Sequence, residues 1–381
     1  MATFRKRGDK WEYRISYKDP FTLKYKVKSK SGFKTKKEAQ SAASEEEIKL
    51  SNNSELEDKN LRLEDFLNDW LHEYKKDSVR KNTFELHERN INNHILPYFK
   101  KSALKDVNPI MYQKFLNNLT QQGYSKRTVQ IIHATMNNAF KRAILTGKIQ
   151  KNPCIGAEIK GQEKDREIKF IESNRIADFL QTAYEYGYIY WIFYKVLIET
   201  GMRKGEAAAL QWTDIDLKEQ TISINKSLDF KEASKDTSKM FGHVKTYTSK
   251  RVITISQALA NDLRFHQKYQ NQNKLTLIDN YHYDLNLVLC RNDGNYMPKS
   301  SLFSSFARIL KKVGLPSLPI HSTRHTHAVL QLESGASMKY LQERLGHGSM
   351  QITADIYSHI SKKLDKDTME KYEECMKNVL K

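Results

Sequence analysis

Residues 189–206 read IYWIFYKVLIETGMRKGE. Over residues 189–200 the run is apolar on nearly every side, with Lys195 as its interruption, and a helix of that kind belongs at the centre of a core. Gly201 breaks the helix, because glycine accepts the left-handed turn in which helices end, and the chain restarts at once through Met202, Arg203, Lys204, Gly205 and Glu206. Arg203 is thereby set in a tight turn at the core edge, and Glu206 is close enough to orient it. Taken alone, an Arg and a Glu three residues apart describe an ordinary helical ion pair. The surrounding segments give the pair its meaning.

Ser173 is expected to cap a helix ahead of this one. Behind it, Thr221-Ile222-Ser223-Ile224 and Arg251-Val252-Ile253-Thr254-Ile255 alternate as strands do, with a long Lys-rich segment between them. Val244-Lys245-Thr246 lies in that segment, where a lysine on a hairpin turn reaches into a neighbouring site. After Ser301 the chain reads as helical to its end. There, His321-Ser322-Thr323-Arg324 opens a helix through Leu330, and one helical turn sets His321 beside Arg324. Leu345-Gly346-His347-Gly348-Ser349 follows, and Tyr357 stands ten residues beyond His347.

Upstream, the pattern changes twice. Trp11, Tyr13, Ile15 and Tyr17 alternate with Glu12, Arg14 and Ser16, the period of a half-covered strand. After an Asp19-Pro20 turn, Leu23, Tyr25 and Val27 alternate with Lys24, Lys26, Lys28 and Lys30, which predicts a ribbon with one apolar and one cationic face. Thr35 and Glu38 fit a capping box opening a helix whose Ala39, Ala42, Ala43 and Leu50 would cover the apolar face. Residues 51–60 are polar and aperiodic, a linker. Leu63, Phe66, Leu67, Trp70, Leu71 and Tyr74 then repeat at helical spacing. Further helices are expected from Asn82 or Thr83 through Ile95 with Pro97 ending it, over residues 109–119, and from a Ser125 cap to Leu145. They make an all-helical bundle closed by Asn152-Pro153. Arg80 with Lys81 and Lys126 with Arg127 sit at two of these helix starts, where exposed N–H groups and cations together hold phosphates.

The whole chain has 381 residues, room for two or three domains. Its 64 Lys and Arg against 45 Asp and Glu leave a charge of +19, the balance of a protein with a polyanionic partner; nucleic acid leads and an anionic membrane surface is second. Residues 1–40 alone carry 13 basic and 4 acidic side chains, as a footprint on phosphates would. With 39% hydrophobic residues and 36 Tyr and Phe together, the chain is folded rather than disordered. No apolar run approaches membrane-spanning length, and no apolar stretch follows the basic N-terminus as in a secretory signal, so a cytoplasmic protein is expected. The three cysteines, Cys154, Cys290 and Cys375, are far apart and in no metal-ligand spacing, and are read as reduced, incidental thiols.

Read together, TGMRKGE, the KT pair, HSTR, LGHGS and the Tyr357 segment resemble, in order and spacing, the tyrosine recombinases of the phage integrase family. The intervals are 3 residues from His321 to Arg324, 23 from Arg324 to His347 and 10 from His347 to Tyr357. The resemblance covers the whole chain and implies a multidomain α+β architecture. A small N-terminal β-sheet-plus-helix module (1–55) would bind arm-type DNA sites, an all-α bundle (60–155) the core site, and a mostly helical domain with a small antiparallel sheet (168–381) would carry catalysis. By position the catalytic set is Arg203, Lys245, His321, Arg324, His347 and Tyr357; Lys250 and Arg251 lie near enough to Lys245 to compete for its place. The implied DNA contacts are Lys24, Lys26 and Lys28 on the ribbon, and Arg80, Lys81, Lys126 and Arg127 on the bundle.

The residue types suit the chemistry. A planar guanidinium never loses its charge and donates two hydrogen bonds to a phosphate, which is the role of Arg203 and Arg324 at a pentavalent oxyanion. By the resemblance His347 would add a donor, His321 would assist proton movement at the nucleophile, and Tyr357 would attack as a phenolate to form a 3′-phosphotyrosyl bond. Lys245 would protonate the departing 5′ oxygen. Neither ATP nor a metal is required, and no cofactor is expected. By the same resemblance the protein would act as a homotetramer on double-stranded attachment DNA in the bacterial nucleoid, with the C-terminal helix of residues 366–381 docking on a neighbouring protomer. A host DNA-bending protein and an excision factor are partners the resemblance leaves room for.

Three other readings compete. His321, His325 and His327 invite a metal site, but residues i, i+4 and i+6 do not share one helical face and no carboxylate completes them; the latter two read as structural. A sequence-specific DNA-binding regulator that never cuts would have the same charge, ribbon and bundle, and predicts the loss of at least one member of the catalytic set. A type IB topoisomerase shares the chemistry but has no use for a module that reads a second DNA site.

Overall fold

The computed structural model describes residues 2–18, 25–51, 61–161, 168–243 and 250–346, with Met369, Tyr372, Glu373, Met376 and Lys377 beyond them. The chain separates into two compact units, Met1–Asp165 and Arg166–Lys381. Hydrophobic clusters form separately in the N-terminal sheet, in the helical bundle and in the second unit.

The first unit begins with three antiparallel strands in the order β1 (Ala2–Arg7), β2 (Lys10–Lys18) and β3 (Tyr25–Phe33). β1 is a strand that alternation did not reveal. Helix α1 (Lys36–Ser51) packs on the sheet, and Tyr13, Ile15, Ala39 and Ala43 are buried between them. Its start is half of the expected capping box: Thr35 Oγ1 accepts from the Glu38 N–H at 3.2 Å, whereas the Glu38 carboxylate accepts from Lys34 N at 3.0 Å. The faces of β3 are the reverse of the expectation. Register sets Lys26 opposite Tyr17, Lys28 opposite Ile15 and Lys30 opposite Tyr13, so the lysines share the helix-covered side, and Lys28 pairs with Glu46 of α1 at 2.6 Å. Tyr25 and Val27 stand on the open face, 76% and 65% exposed. Alternation in a strand defines two faces but not which one the helix covers; the pairing register decides that.

The bundle follows. Helix α2 (Leu63–Asp69) widens into a π-helical stretch, Trp70–Lys75. Helix α3 (Lys81–Asn90) passes through a second π-stretch, Ile91–Ile95, into α4 (Leu96–Phe99). Two expectations change here: Arg80, not Asn82 or Thr83, is the N-cap of α3, and Pro97 does not end the helical path, which runs to Phe99. Proline lacks the N–H that would close the preceding turn, and the wider π-turn ahead of it takes up the mismatch. Helices α5 (Pro109–Gln121) and α6 (Lys126–Leu145) are capped by Asn108 and Ser125, and Gly147 turns the chain at φ +69° after α6. Packing does not stop at Pro153: Cys154 is buried in this core, Ala157 and Ile159 lie against it, and Glu158 exchanges two hydrogen bonds with Gln113.

In the second unit, Ser173 begins a short 3-10 turn and bonds Glu333 at 2.6 Å instead of capping a helix, and α7 (Ile176–Tyr186) follows. Helix α8 (Tyr188–Thr200) runs through the core as its apolar surface requires, and its lysine, Lys195, is satisfied by Glu199 and Asp262 at 3.0 and 3.2 Å. After α9 (Lys204–Ala208), β4 (Ile215–Asp216) and β5 (Thr221–Ile224) build an antiparallel sheet with β8 (Arg251–Thr254) in the order β4-β5-β8. Between them, β6 (Lys226–Leu228) pairs with β7 (Phe241–His243) around a helical turn, α10 (Phe230–Ala233). Helices α11 (Gln257–Leu277), α12 (Lys299–Val313), α13 (Ser322–Glu333) and α14 (Met338–Leu345) complete the described residues of this mixed α+β fold.

Candidate active site

The site grows from the break at Gly201. This residue turns at φ +66°, and a Cβ there would lie 2.6 Å from His327 Cδ2 of α13 and 2.6 Å from Leu345 Cδ2 of α14. Only a bare Cα lets the end of α8 approach both helices this closely. Arg203 then N-caps α9 in extended conformation. Its backbone N–H donates to Glu206 Oε2 at 2.9 Å and its Nη1 to Oε1 at 2.7 Å, so the orienting role read for Glu206 is met geometrically.

Glu206 is buried, and its Oε2 also accepts from Arg251 Nη2 at 3.0 Å. Three arginines reach the C-terminal end of α14, where helical carbonyls lack intrahelical partners. Arg251 Nε donates to the Arg344 carbonyl at 2.7 Å, Arg324 Nη2 to that of Leu345 at 2.6 Å, and Arg203 Nη2 to that of Gly346 at 3.4 Å. Arg324, 2% exposed, also donates from Nη1 to the Gly201 carbonyl at 2.8 Å. Arg203 and Arg251 thus hold one carboxylate between them, and Arg324 joins them at the carbonyls that end α14, the negative end of a helix dipole. Burial, then Arg203, lowers Arg324 to about 9, against the pull of Glu206, and it remains cationic at neutral pH. Burial pushes the Glu206 carboxyl up, but Arg251 and Arg203 outweigh it and hold the group below its ordinary range.

His321 is the N-cap of α13. Its outer side is open to solvent, but the protein packed against its inner side, followed by His325, Arg324, Arg203 and Lys204, lowers it to about 4. It is a neutral imidazole at neutral pH, beside cations that need an anion. His327 is held differently: its Nε2 lies 3.0 Å from the donating Arg344 Nε, which leaves Nδ1 as the donor to the Ile198 carbonyl at 2.9 Å. Burial and Arg344 lower it to about 3. His325 meets His321 edge-on at 5.0 Å. Among the described residues no group of three His, Cys, Asp or Glu is placed to hold a metal ion.

Of the six expected catalytic residues the structure brings together Arg203, His321 and Arg324. Lys245, His347 and Tyr357 lie outside the described residues, as does Lys24; Gly346, the sequence neighbour of His347, is at the cluster. Arg80, Lys81, Lys126 and Arg127 are at the starts of α3 and α6 as expected, whereas Lys26 and Lys28 are on the helix-covered side of β3. The sequence reading did not foresee the parts of Arg251 and Arg344. Arg251 was visible only as a neighbour of Lys245, and its place at the start of a strand carries no signal of the carboxylate it meets 45 residues away.

The profile described as the phage integrase family matches residues 168–363, just over half of the chain. The chain belongs to the phage integrase family. Two further profiles match upstream segments: the N-terminal SAM-like domain of phage integrases over residues 62–120 and an arm DNA-binding domain over residues 3–50. This family member is 29% identical over 354 residues to a "Tyrosine recombinase XerC-like" protein of Caldanaerobacter subterraneus subsp. tengcongensis, covering 88% of this chain and 89% of the other. It is 28% identical over 358 residues to the "Integrase" of Staphylococcus phage L54a, covering 87% and 99%. Its fold matches the Tn1549 transposon integrase, solved in complex with a circular intermediate DNA, with a TM-score of 0.67 at 20% identity over 82% of this chain and 99% of that one.

Proposed function

We propose that this phage integrase family member is a site-specific DNA recombinase, the integrase of a mobile genetic element, which cuts and rejoins double-stranded DNA at attachment sites. The observation that carries the reading is the cluster of Arg203, Arg251 and Arg324 at the C-terminal end of α14, the first two held by the Glu206 carboxylate, with neutral His321 beside them. A phosphodiester supplies one negative charge and its pentavalent transition state a second, which fixed cationic donors stabilise. The Tyr357 oxygen attacks phosphorus, a 3′-phosphotyrosyl bond forms and the bond to the 5′ oxygen breaks, and Lys245 gives that oxygen its proton. Arg203, Arg324 and His347 hold the nonbridging oxygens, and His321 accepts the phenol proton. The phosphotyrosyl bond retains the energy of the diester, so religation to a second strand needs no nucleotide. Two such exchanges pass through a Holliday junction within a homotetramer.

In this reading residues 1–55 bind arm sites, 60–155 bind the core site and 168–381 perform the chemistry. Lys81, Lys126, Arg80 and Arg127 set the bundle on phosphates. On the N-terminal module the DNA face is the open one, where Arg5 and Arg14 flank Glu12 at 2.9 and 3.4 Å beside Tyr25 and Val27. Among the described residues no helix is long and apolar enough to cross a membrane, which accords with a protein acting on the nucleoid in the bacterial cytoplasm.

The test is trapping. Nicked duplexes tiling the DNA that flanks the gene are incubated with the protein without metal or nucleotide, and denaturing gels are read for a covalent adduct. An adduct that is lost in Tyr357→Phe is expected. Tight, site-specific binding by the wild-type protein without any adduct would leave the non-cleaving DNA-binding regulator in its place.

A further inference from the structure

We infer that Arg251 is a positioning residue: it ties Glu206, and through it the Arg203 fork, to the C-terminal end of α14. The inference deepens the recombinase reading and rests on it.

Arg251 and Glu206 have side chains only 6% and 3% exposed, so neither is placed to meet DNA directly. The backbone of Arg251 is fixed by pairing with Ile224 in the β4-β5-β8 sheet. From that base its guanidinium spends two different nitrogens on two different partners, Nη2 on Glu206 Oε2 at 3.0 Å and Nε on the Arg344 carbonyl at 2.7 Å. A lysine ammonium is a point donor on a flexible stem and does not reproduce this fork. Glu206 in turn has no slack. Its Oε1 holds Arg203 Nη1, while Oε2 is shared between the Arg203 N–H and Arg251. Without Arg251 the Arg344 carbonyl loses this donor, the carboxylate loses a buried cation, and the Glu206–Arg203 pair keeps its own two hydrogen bonds but loses the tie that fixes it to the sheet and to the end of α14.

The consequence for the reaction is specific. Arg203 would still be present and charged, but displaced from where a nonbridging oxygen needs its donors, and an error of about an ångström costs on the order of a hundredfold in rate. Glu206 would then face Arg203 on its own turn and Arg324 from α13, with burial still favouring its protonated form and the opposing pull of Arg251 gone. The variant should therefore lose activity toward acid pH, as Glu206 takes up a proton, over a range in which the wild-type protein stays flat.

The experiment uses the full-length protein and the nicked duplex on which the wild type forms its adduct. Single-turnover cleavage, equilibrium DNA binding and thermal melting are measured for Arg251→Gln, Arg251→Lys and the double variant Arg251→Gln, Glu206→Gln. Expected are a loss of about a hundredfold in cleavage rate in both single variants and DNA affinity within about twofold of wild type, since the lost interaction acts on the transition state rather than the ground state. An acid limb in the pH–rate profile of Arg251→Gln, absent from the double variant, is also expected. Wild-type cleavage rates in either single variant would overturn the inference, as would full rescue by Arg251→Lys, which would reduce the residue to a charge. Parallel loss of cleavage, binding and melting temperature in all three variants, with no acid limb, would make Arg251 a stabiliser of the fold only. Absence of an adduct with the wild-type protein is a different result, the failure of the recombinase reading itself.

Discussion

At Gly201 one added methyl group would meet the His327 ring and the Leu345 side chain, both at 2.6 Å, in a backbone turned to φ +66°. The left-handed conformation costs an L-residue about 1–2 kcal/mol and overpacking adds about 1–3 kcal/mol, so Gly201→Ala should destabilise the second unit by about 2–5 kcal/mol. Chemical denaturation of the variant checks this, and a loss below about 1 kcal/mol would mean that α13 and α14 shift to make room. The histidines make a second prediction at this scale. Burial holds His327 at about 3 and His266, buried in α11 with its Nε2 2.7 Å from the Val288 carbonyl, at about 4, whereas an unfolded histidine titrates near 6.5. Both groups are neutral when folded, and the unfolded chain protonates first as pH falls. Their stabilisation is therefore complete above about pH 6.5 and is lost below it, each contributing a slope approaching about 1.4 kcal/mol per pH unit until its folded value is reached. Melting temperature should fall between pH 6.5 and 4.5, and His266→Gln should flatten that fall even if it lowers stability at neutral pH. A profile of unchanged steepness in the variant would remove His266 from the account.

The N-terminal sheet shows at the scale of elements what a pattern contains and what it leaves out. Period-two alternation located β2 and β3, but a strand has two faces, and only the pairing of Ile15 with Lys28 settles that the lysines share the side of α1. On the proposal that the open face meets DNA, Tyr25→Ser with Arg14→Gln should weaken arm-site binding and reduce the steepness of its salt dependence by about one unit for the lost phosphate contact. Lys28→Gln should change that slope less, because Lys28 lies on the side of the sheet that α1 covers, where it meets Glu46 at 2.6 Å, closer than Arg14 lies to Glu12 at 3.4 Å. Fluorescence titrations at several salt concentrations separate the two, and an equal loss in both would return the lysines to the interface. The same limit explains the other differences. Pro97 reads as a stop because its local effect is on one hydrogen bond, while the π-stretch that absorbs it is a property of the turn ahead. Arg203, His321 and Arg324 were legible because TGMRKGE and HSTR, read with the segments that follow them, resemble the phage integrase family. Arg251 was not, because its meaning lies in Glu206 and the Arg344 carbonyl, distant in sequence.

For the whole molecule, the basic surplus and the chain's division assign different kinds of work to different lengths of sequence. The charge of +19 supplies attraction to any duplex, but attraction of that kind is indifferent to sequence and screened by salt. Discrimination must come from several modules engaging one assembled DNA at once, where each bound module raises the effective concentration of the next. The N-terminal module has its own small core of Tyr13, Ile15 and Ala43, and the hydrogen bonds that build the Arg203–Glu206–Arg251–Arg324 cluster run within the second unit. Removal of residues 1–55 should therefore abolish binding to arm-type DNA and impair assembly of the complete recombination complex, while the truncated protein still forms the Tyr357 adduct on a nicked core-site duplex at raised concentration. Adduct yield against protein concentration is the measurement. A curve shifted to higher concentration but reaching the full-length plateau is the expected form, since a lost module weakens occupancy without altering the reacting groups. A plateau near zero at every concentration would mean that the N-terminal module acts on the catalytic cluster itself, and the division of labour between the modules would have to be abandoned.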